Sequence, residues 1–195
     1  MRYLFNILAP GIAMTACLTA LAQTPNFGNV GRTPSEAEIK SWDISVGPAG
    51  TELPPGKGTA PEGEKIFAQK CAACHGPSGE SGKDGPRLVG PPNGLKLPRP
   101  IKSIASFWSY PTTIFDYTRR AMPWKGGEGT LSADEVYAVT AFLLYRNGII
   151  QENAVMDATS LPKVQMPARD SFVPLKPEWK PQEKRPYGHF PNGAR

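Results

Sequence analysis

Beyond an apolar run at its N-terminus, the chain shows helical hydrophobic periodicity in three stretches, and the sequence around them is dominated by Gly, Pro and polar residues. Thr59-Ala60-Pro61-Glu62 is a capping box that opens the first helix, through Gly63, Ile66, Phe67 and Lys70, into Cys71. In the second stretch, Thr112 to Ala121, residues Ile114, Phe115 and Tyr117 fall at helical spacing, and Met122-Pro123 stops the helix. Ser132-Ala133-Asp134-Glu135 caps the third, where Val136, Val139, Phe142, Leu143 and Leu144 make most of the circumference apolar before Asn147-Gly148 ends it. Such a helix must be buried. The first helix is the expected partner, with Gly63 allowing close backbone approach and Phe67 meeting Tyr137 or Tyr145. Residues Gly76 to Ile101 form a long Gly- and Pro-rich loop, of a kind a compact domain tolerates when the loop has something to wrap around.

The remaining segments read as extensions of a central domain, residues 59–150. Residues 23–58 form an N-terminal extension with one short helix, announced by Thr33-Pro34-Ser35-Glu36 as a capping box with Pro at the first helical position, and reaching Trp42. Residues 151–195 are proline-rich and are expected to run extended over a surface. Trp42, Phe172, Trp179, Tyr187 and Phe190 are candidate anchors for a partner on these two arms. Residues 1–22 read as an export signal: Arg2 supplies the positive start, Leu4 to Leu21 is mostly apolar, and Ala20-Leu21-Ala22 is a small-x-small cleavage site. A retained anchor and lipidation at Cys17 are the alternatives; Asn6, Pro10 and Gly11 interrupt the run, so no stable membrane insertion is expected. A periplasmic location follows from cleavage near Ala22. The formal charge of +5 is modest and its signs are intermixed, which gives no reason to expect nucleic acid as a partner.

Removal of the signal would leave only Cys71 and Cys74, both inside Cys71-Ala72-Ala73-Cys74-His75. This is the spacing for attachment of one covalent haem c, in which two thiols add to vinyl groups and the following His coordinates iron. A thioredoxin-like pair would need a βαβ setting, and a zinc site two further ligands nearby; the sequence offers neither. With His75 on one side of the metal, Met122 is the choice for the other, since it lies after the long loop and just before the buried helix; Met156, Met166 and His189 are the alternatives. A His/Met pair closes both axial positions, which suits electron transfer and argues against a peroxidase or oxidase needing an open site. Pro86 is placed to offer its carbonyl to His75, or is a plain turn proline. One of Arg119 and Arg120 is expected to neutralise a haem carboxylate, or to face solvent. Phe107, Trp108, Tyr117 and Trp124 are assigned packing only.

Together these residues resemble the class I cytochrome c family, through Gly63, Phe67, Cys71 to His75, Gly85-Pro86-x-Leu88, Met122 and the final helix, over roughly Ala60 to Ile150. The implied fold is mainly α, a class I cytochrome c fold with long Pro/Gly-rich N- and C-terminal extensions. A narrower resemblance lies in Thr113-Ile114-Phe115-Asp116-Tyr117-x-Arg119-Arg120-Ala121-Met122-Pro123, in Asp134 to Ala141, in Val155-Met156-Asp157-Ala158 and in Leu161-Pro162-x-Val164-x-Met166-Pro167. These stretches are similar to the cytochrome subunit of the bacterial sulfur dehydrogenase of thiosulfate oxidation and of related sulfite dehydrogenases. The resemblance implies a molybdenum-cofactor dehydrogenase subunit as electron donor, a soluble c-type cytochrome as acceptor, and a partner-contact role for the tail motifs. Some family members carry a second haem motif in a longer chain, and this one has a single motif, which leaves the partner's substrate open. With no molybdenum-binding segment visible, the chain is not expected to oxidise sulfite or sulfane sulfur by itself. A free-standing soluble shuttle is the rival reading.

Overall fold

The computed structural model describes residues 30–173, and the chain divides into two compact units, Met1–Asp43 and Ile44–Arg195. The expected signal segment with Cys17, and the tail residues Trp179, Tyr187, His189 and Phe190, lie outside the described residues. In the first unit, Ser35 caps helix α1 (Glu36–Trp42): its hydroxyl accepts the Glu38 N–H at 3.3 Å, and the Glu38 carboxylate accepts the Ser35 N–H at 2.8 Å. The box therefore sits later than Thr33 and Glu36. Glu38, also held by the Arg32 guanidinium at 2.8 Å, is the carboxylate that completes it.

In the second unit, strand β1 (Lys57–Gly58) leads into α2 (Ala60–Lys70) and the short α3 (Ala72–His75). The long loop follows, with a single 3-10 turn at Gly94–Lys96, then α4 (Ile104–Phe107), α5 (Pro111–Ala121) and α6 (Ala133–Arg146). Strand β2 (Met156–Asp157) pairs antiparallel with β1, Gly58 opposite Met156. The capping boxes at Thr59/Glu62 and Ser132/Glu135 form where the sequence places them.

The centre of the unit is the crossing of α2 and α6. A Cβ at Gly63 would lie 1.9 Å from the Ala138 carbonyl oxygen, so the two backbones touch there and only glycine fits. Every residue of α6 from Val136 to Leu144 is buried. Phe67 packs on Phe142 with ring centroids 5.1 Å apart, rather than on Tyr137 or Tyr145. One helical turn places Phe142 beside Gly63 and Phe67 together, while Tyr137 turns to the other side and stacks on Phe115 of α5 at 4.5 Å. Asn147, which ends α6, also ties down the long loop: its amide donates to the Leu88 carbonyl at 3.3 Å and its oxygen accepts the Gly90 N–H at 3.2 Å.

The two extensions are not bare arms. Val46 and Leu53 belong to the buried core, and the Tyr137 hydroxyl donates to the Pro54 carbonyl at 2.9 Å. Met156, Leu161 and Met166 are likewise core residues. The tail motifs around Met156 and Leu161–Met166, expected to contact a partner, are thus packed into their own domain. Their apolar side chains, spaced between prolines, cover surface that the few helices leave open.

Gly63→Ala is expected to lower stability by about 1–3 kcal/mol through overpacking. Thermal unfolding measures it, and an unchanged melting temperature would show that α2 and α6 separate freely.

Candidate functional site

The end of α2, α3, the long loop, α4, α5 and α6 enclose a cavity of about 620 Å³, inside the ~300–1,000 Å³ range of small-molecule and cofactor sites. The helices reach it by their periodicity. Ile114, Thr118 and Ala121 face it from α5, Val139 and Leu143 from α6, and Phe67 from α2. Its lining is mostly apolar, and both cysteines and the histidine in it come from one stretch of chain.

That stretch is Cys71 to His75. Cys71 closes α2 by donating its N–H to the Phe67 carbonyl at 2.9 Å, and its own carbonyl accepts the His75 N–H at 3.0 Å, so the two residues share one turn. Cys71, Cys74 and His75 all line the cavity. Burial pushes the Cys71 thiol up to about 11, with Cys74 adding and Lys70 opposing. Among the described residues no group of three or more His, Cys, Asp and Glu is placed to hold a metal ion by itself.

The His75 side chain is buried, and its Nδ1 lies 2.9 Å from the Pro86 carbonyl oxygen. A carbonyl only accepts, so this bond needs the proton on Nδ1 and leaves Nε2 with its lone pair free to bind a metal. Pro86 is more than a turn residue here. The loop that delivers it comes close: a Cβ at Gly85 would stand 2.7 Å from Nδ1, and the Gly85 N–H donates to the Cys74 carbonyl at 2.9 Å.

Of the four candidates for the other axial position, Met122 lines the cavity. Met156 and Met166 are buried in the core without reaching it. Met122 follows α5 directly, and its N–H donates to Thr118 at 3.2 Å, which keeps the final helical turn intact up to this residue. A thioether, an imidazole with a free Nε2 and two cysteines around one apolar cavity are the donor set that a covalently held haem needs, and these residues fit it.

Arg119 and Arg120 are not among the cavity-lining residues. Arg120 binds Asp116 four residues back, Nε to Oδ1 at 3.0 Å, and Arg119 donates to the Ile44 carbonyl at 3.3 Å. A neighbouring carboxylate and a backbone carbonyl thus hold these two side chains. The cations that do line it are Lys70, Arg87 and Lys102. Lys70 is paired with Glu135 at 2.7 Å, and the Lys102 ammonium sits 3.7 Å above the Phe107 ring. Arg87 stands inside Gly85-Pro86-x-Leu88, and that position was the available signal for it. Phe107, Trp108, Tyr117 and Trp124, assigned only packing from sequence, all line the cavity, and Tyr117 and Trp124 remain 49% and 64% exposed.

Among known proteins, residues 58–143 match the family described as cytochrome C oxidase, cbb3-type, subunit III. The structure is similar to a chain of the sulfane dehydrogenase SoxCD from Paracoccus pantotrophus, with 41% sequence identity, a TM-score of 0.70, and coverage of 75% of this chain and 72% of that one. No curated protein gives a significant match. Among the described residues no helix is long and apolar enough to cross a membrane.

Gly85→Ala should push the His75 ring off the Pro86 carbonyl and lower stability by about 1–3 kcal/mol. Nuclear magnetic resonance of the Nδ1 proton together with thermal unfolding tests this. A retained proton signal at unchanged stability would show that the loop yields without cost.

Proposed function

The chain belongs to the class I c-type cytochromes of the kind found in the sulfane dehydrogenase SoxCD, and from that premise we propose that it is the haem subunit of a periplasmic sulfur- or sulfite-oxidising molybdenum dehydrogenase. As a cytochrome c it binds haem c and transfers electrons. The observation that carries the proposal is the meeting of Cys71, Cys74, His75 and Met122 around one apolar cavity. Cys71 and Cys74 would hold the haem covalently, and His75 Nε2 and the Met122 sulfur would ligate its iron. When bound, the haem supplies a one-electron couple.

The protein's own contribution is to orient and to exclude. The Pro86 carbonyl fixes the His75 ring and raises its basicity as a ligand. Phe67, Ile114, Val139 and Leu143 give the cavity an apolar interior, and apolar surroundings together with a thioether ligand would favour the reduced state. A His75/Met122 ligand pair would suit electron transfer, and substrate oxidation would fall to a partner. That donor is a molybdenum-cofactor subunit, and the acceptor is a soluble c-type cytochrome. The support is the likeness to a SoxCD chain over most of both sequences. The export signal read in residues 1–22 supports the periplasm as the location.

A second reading, a free-standing shuttle, is favoured by the burial of Met156, Leu161 and Met166 in this domain's own core, since segments already packed need no partner. Purification of the native protein with metal analysis decides between them. Molybdenum co-eluting in fixed ratio with haem iron is expected, and haem iron alone would overturn the dehydrogenase reading.

Met122→Ala should lower the reduction potential and let carbon monoxide bind the reduced protein. Met166→Ala, by contrast, should leave ligation alone and cost about 2–5 kcal/mol of stability as a core truncation. Reversed outcomes would move the axial assignment to Met166.

A further inference from the structure

Helix α5 has two working faces. Ile114, Thr118 and Ala121 line the cavity, and Met122 follows them at the helix end. On the other side, Thr112, Asp116 and Arg119 stand at successive helical turns, and each meets the backbone of residues 44–48, which run the opposite way. The Thr112 hydroxyl donates to the Pro48 carbonyl at 3.5 Å, the Val46 N–H donates to Asp116 Oδ1 at 2.8 Å, and Arg119 donates to the Ile44 carbonyl at 3.3 Å. Asp116 is the centre of this row. It is 8% exposed, and its two oxygens also take Arg120, Nε on Oδ1 at 3.0 Å and Nη2 on Oδ2 at 2.5 Å.

The apolar anchor of α5, Phe115 on Tyr137, lies in the middle of the helix. Tyr110, at its start, gives no side-chain cap. On the cavity side of the last turns Tyr117 meets Trp108 with ring centroids 5.9 Å apart, and on the outer side the polar row holds the turns that carry Thr118, Ala121 and Met122. A carboxylate in a nearly dry place, with a backbone donor on one oxygen and a guanidinium across both, is a stiff tether. It joins a segment before the haem-attachment motif to the helix that presents the thioether.

We infer that Asp116 is a positioning residue: by clamping α5 to residues 44–48 it sets where the Met122 sulfur stands and so governs how firmly that sulfur ligates the haem. The inference rests on Met122 being an axial ligand. Residues 44–48 are then part of the redox site although none of them touches the cavity.

The test uses the full haem-loaded chain, with Asp116→Ala, the milder Asp116→Asn, Arg119→Gln and, in parallel, Met122→Ala. The readouts are the thioether-to-ferric-haem charge-transfer band, the reduction potential, and carbon monoxide binding to the reduced protein, all well below the melting temperature. Asp116→Ala is expected to weaken the band, lower the potential and raise the carbon-monoxide-accessible fraction on the order of tenfold, the scale of losing one charge-assisted buried hydrogen-bond set. Asp116→Asn should fall between, since its oxygen still accepts from Val46 while the charge facing Arg120 is gone. If Asp116→Ala does not fold, Asp116→Asn and Arg119→Gln carry the test with the same readouts. A lowered melting temperature with band, potential and carbon monoxide binding all at wild-type values would overturn the inference and leave Asp116 a purely structural residue. A silent Met122→Ala would instead overturn the axial assignment, and the inference with it; an effect of Met122→Ala beside silent Asp116 and Arg119 variants overturns the inference alone.

Discussion

Where α2 crosses α6, the Ala138 carbonyl occupies the place a side chain at position 63 would take. Two helices this close interlock rather than slide, because neither has freedom to shift along a contact made by backbone. From that crossing, Phe67 and Phe142 meet one turn further on, and the end of α2 is aimed with Cys71 at the rim of the cavity. Val139 and Leu143, neighbours of the contact on α6, become the cavity floor. The site is thus an outcome of one helix crossing: the same contact that builds the core delivers the attachment motif at its edge.

A crossing of two helices leaves much of the surroundings to irregular chain, and the structure fills that space with hydrogen-bonded loops. Small domains bury a limited share of their surface and need each segment to contribute. Here the long loop is tied by Asn147 from the end of α6, by Gly85 to the Cys74 carbonyl, and by Pro86 to His75. Residues 44–58 are tied by Asp116, Asp134 and Tyr137. Most of these ties join irregular backbone to a side chain or carbonyl of a helix, its cap or the attachment turn, and the Asp134 bond meets Lys57 at the start of β1. The order of the loops is therefore borrowed from the helices.

The helices were legible in the sequence because capping boxes and hydrophobic periodicity are local signals, and the Gly63 contact was legible because a glycine opposite an apolar helix has few other uses. Cys71 to His75 and the Gly85-Pro86 turn announced themselves by spacing. What could not be read was which side chains meet between distant segments. Phe67 had three aromatic neighbours within reach along α6, and the choice of Phe142 depended on the rotation of that helix. Arg119 and Arg120 looked like the free cations of the region, yet Asp116 is one turn from Arg120 and the Ile44 carbonyl lies 75 positions away from Arg119 in sequence. The first competitor was visible in the sequence as an i, i+4 pair; the second was not. Arg87 and Lys102 reach the cavity from irregular chain, where periodicity gives no direction at all.

The packing of the extensions changes what they can say about a partner. A proline-rich segment laid on a partner loses less entropy than a flexible one, which is why such arms suggest a dedicated subunit. That reasoning assumes the segment is otherwise free. Met156, Leu161 and Met166 are already buried in the haem domain, and β2 already pairs with β1, so residues 151–168 have met their ordering cost within this chain. Their apolar surface is no longer on offer. The stretch that resembles a partner-binding tail by its sequence is physically a lid on the core, and its likeness to the SoxCD chain reflects a shared fold at least as much as a shared interface. The case for a dehydrogenase partner thus stands on the likeness of the whole domain to the SoxCD chain, with 41% identity over 75% of this chain.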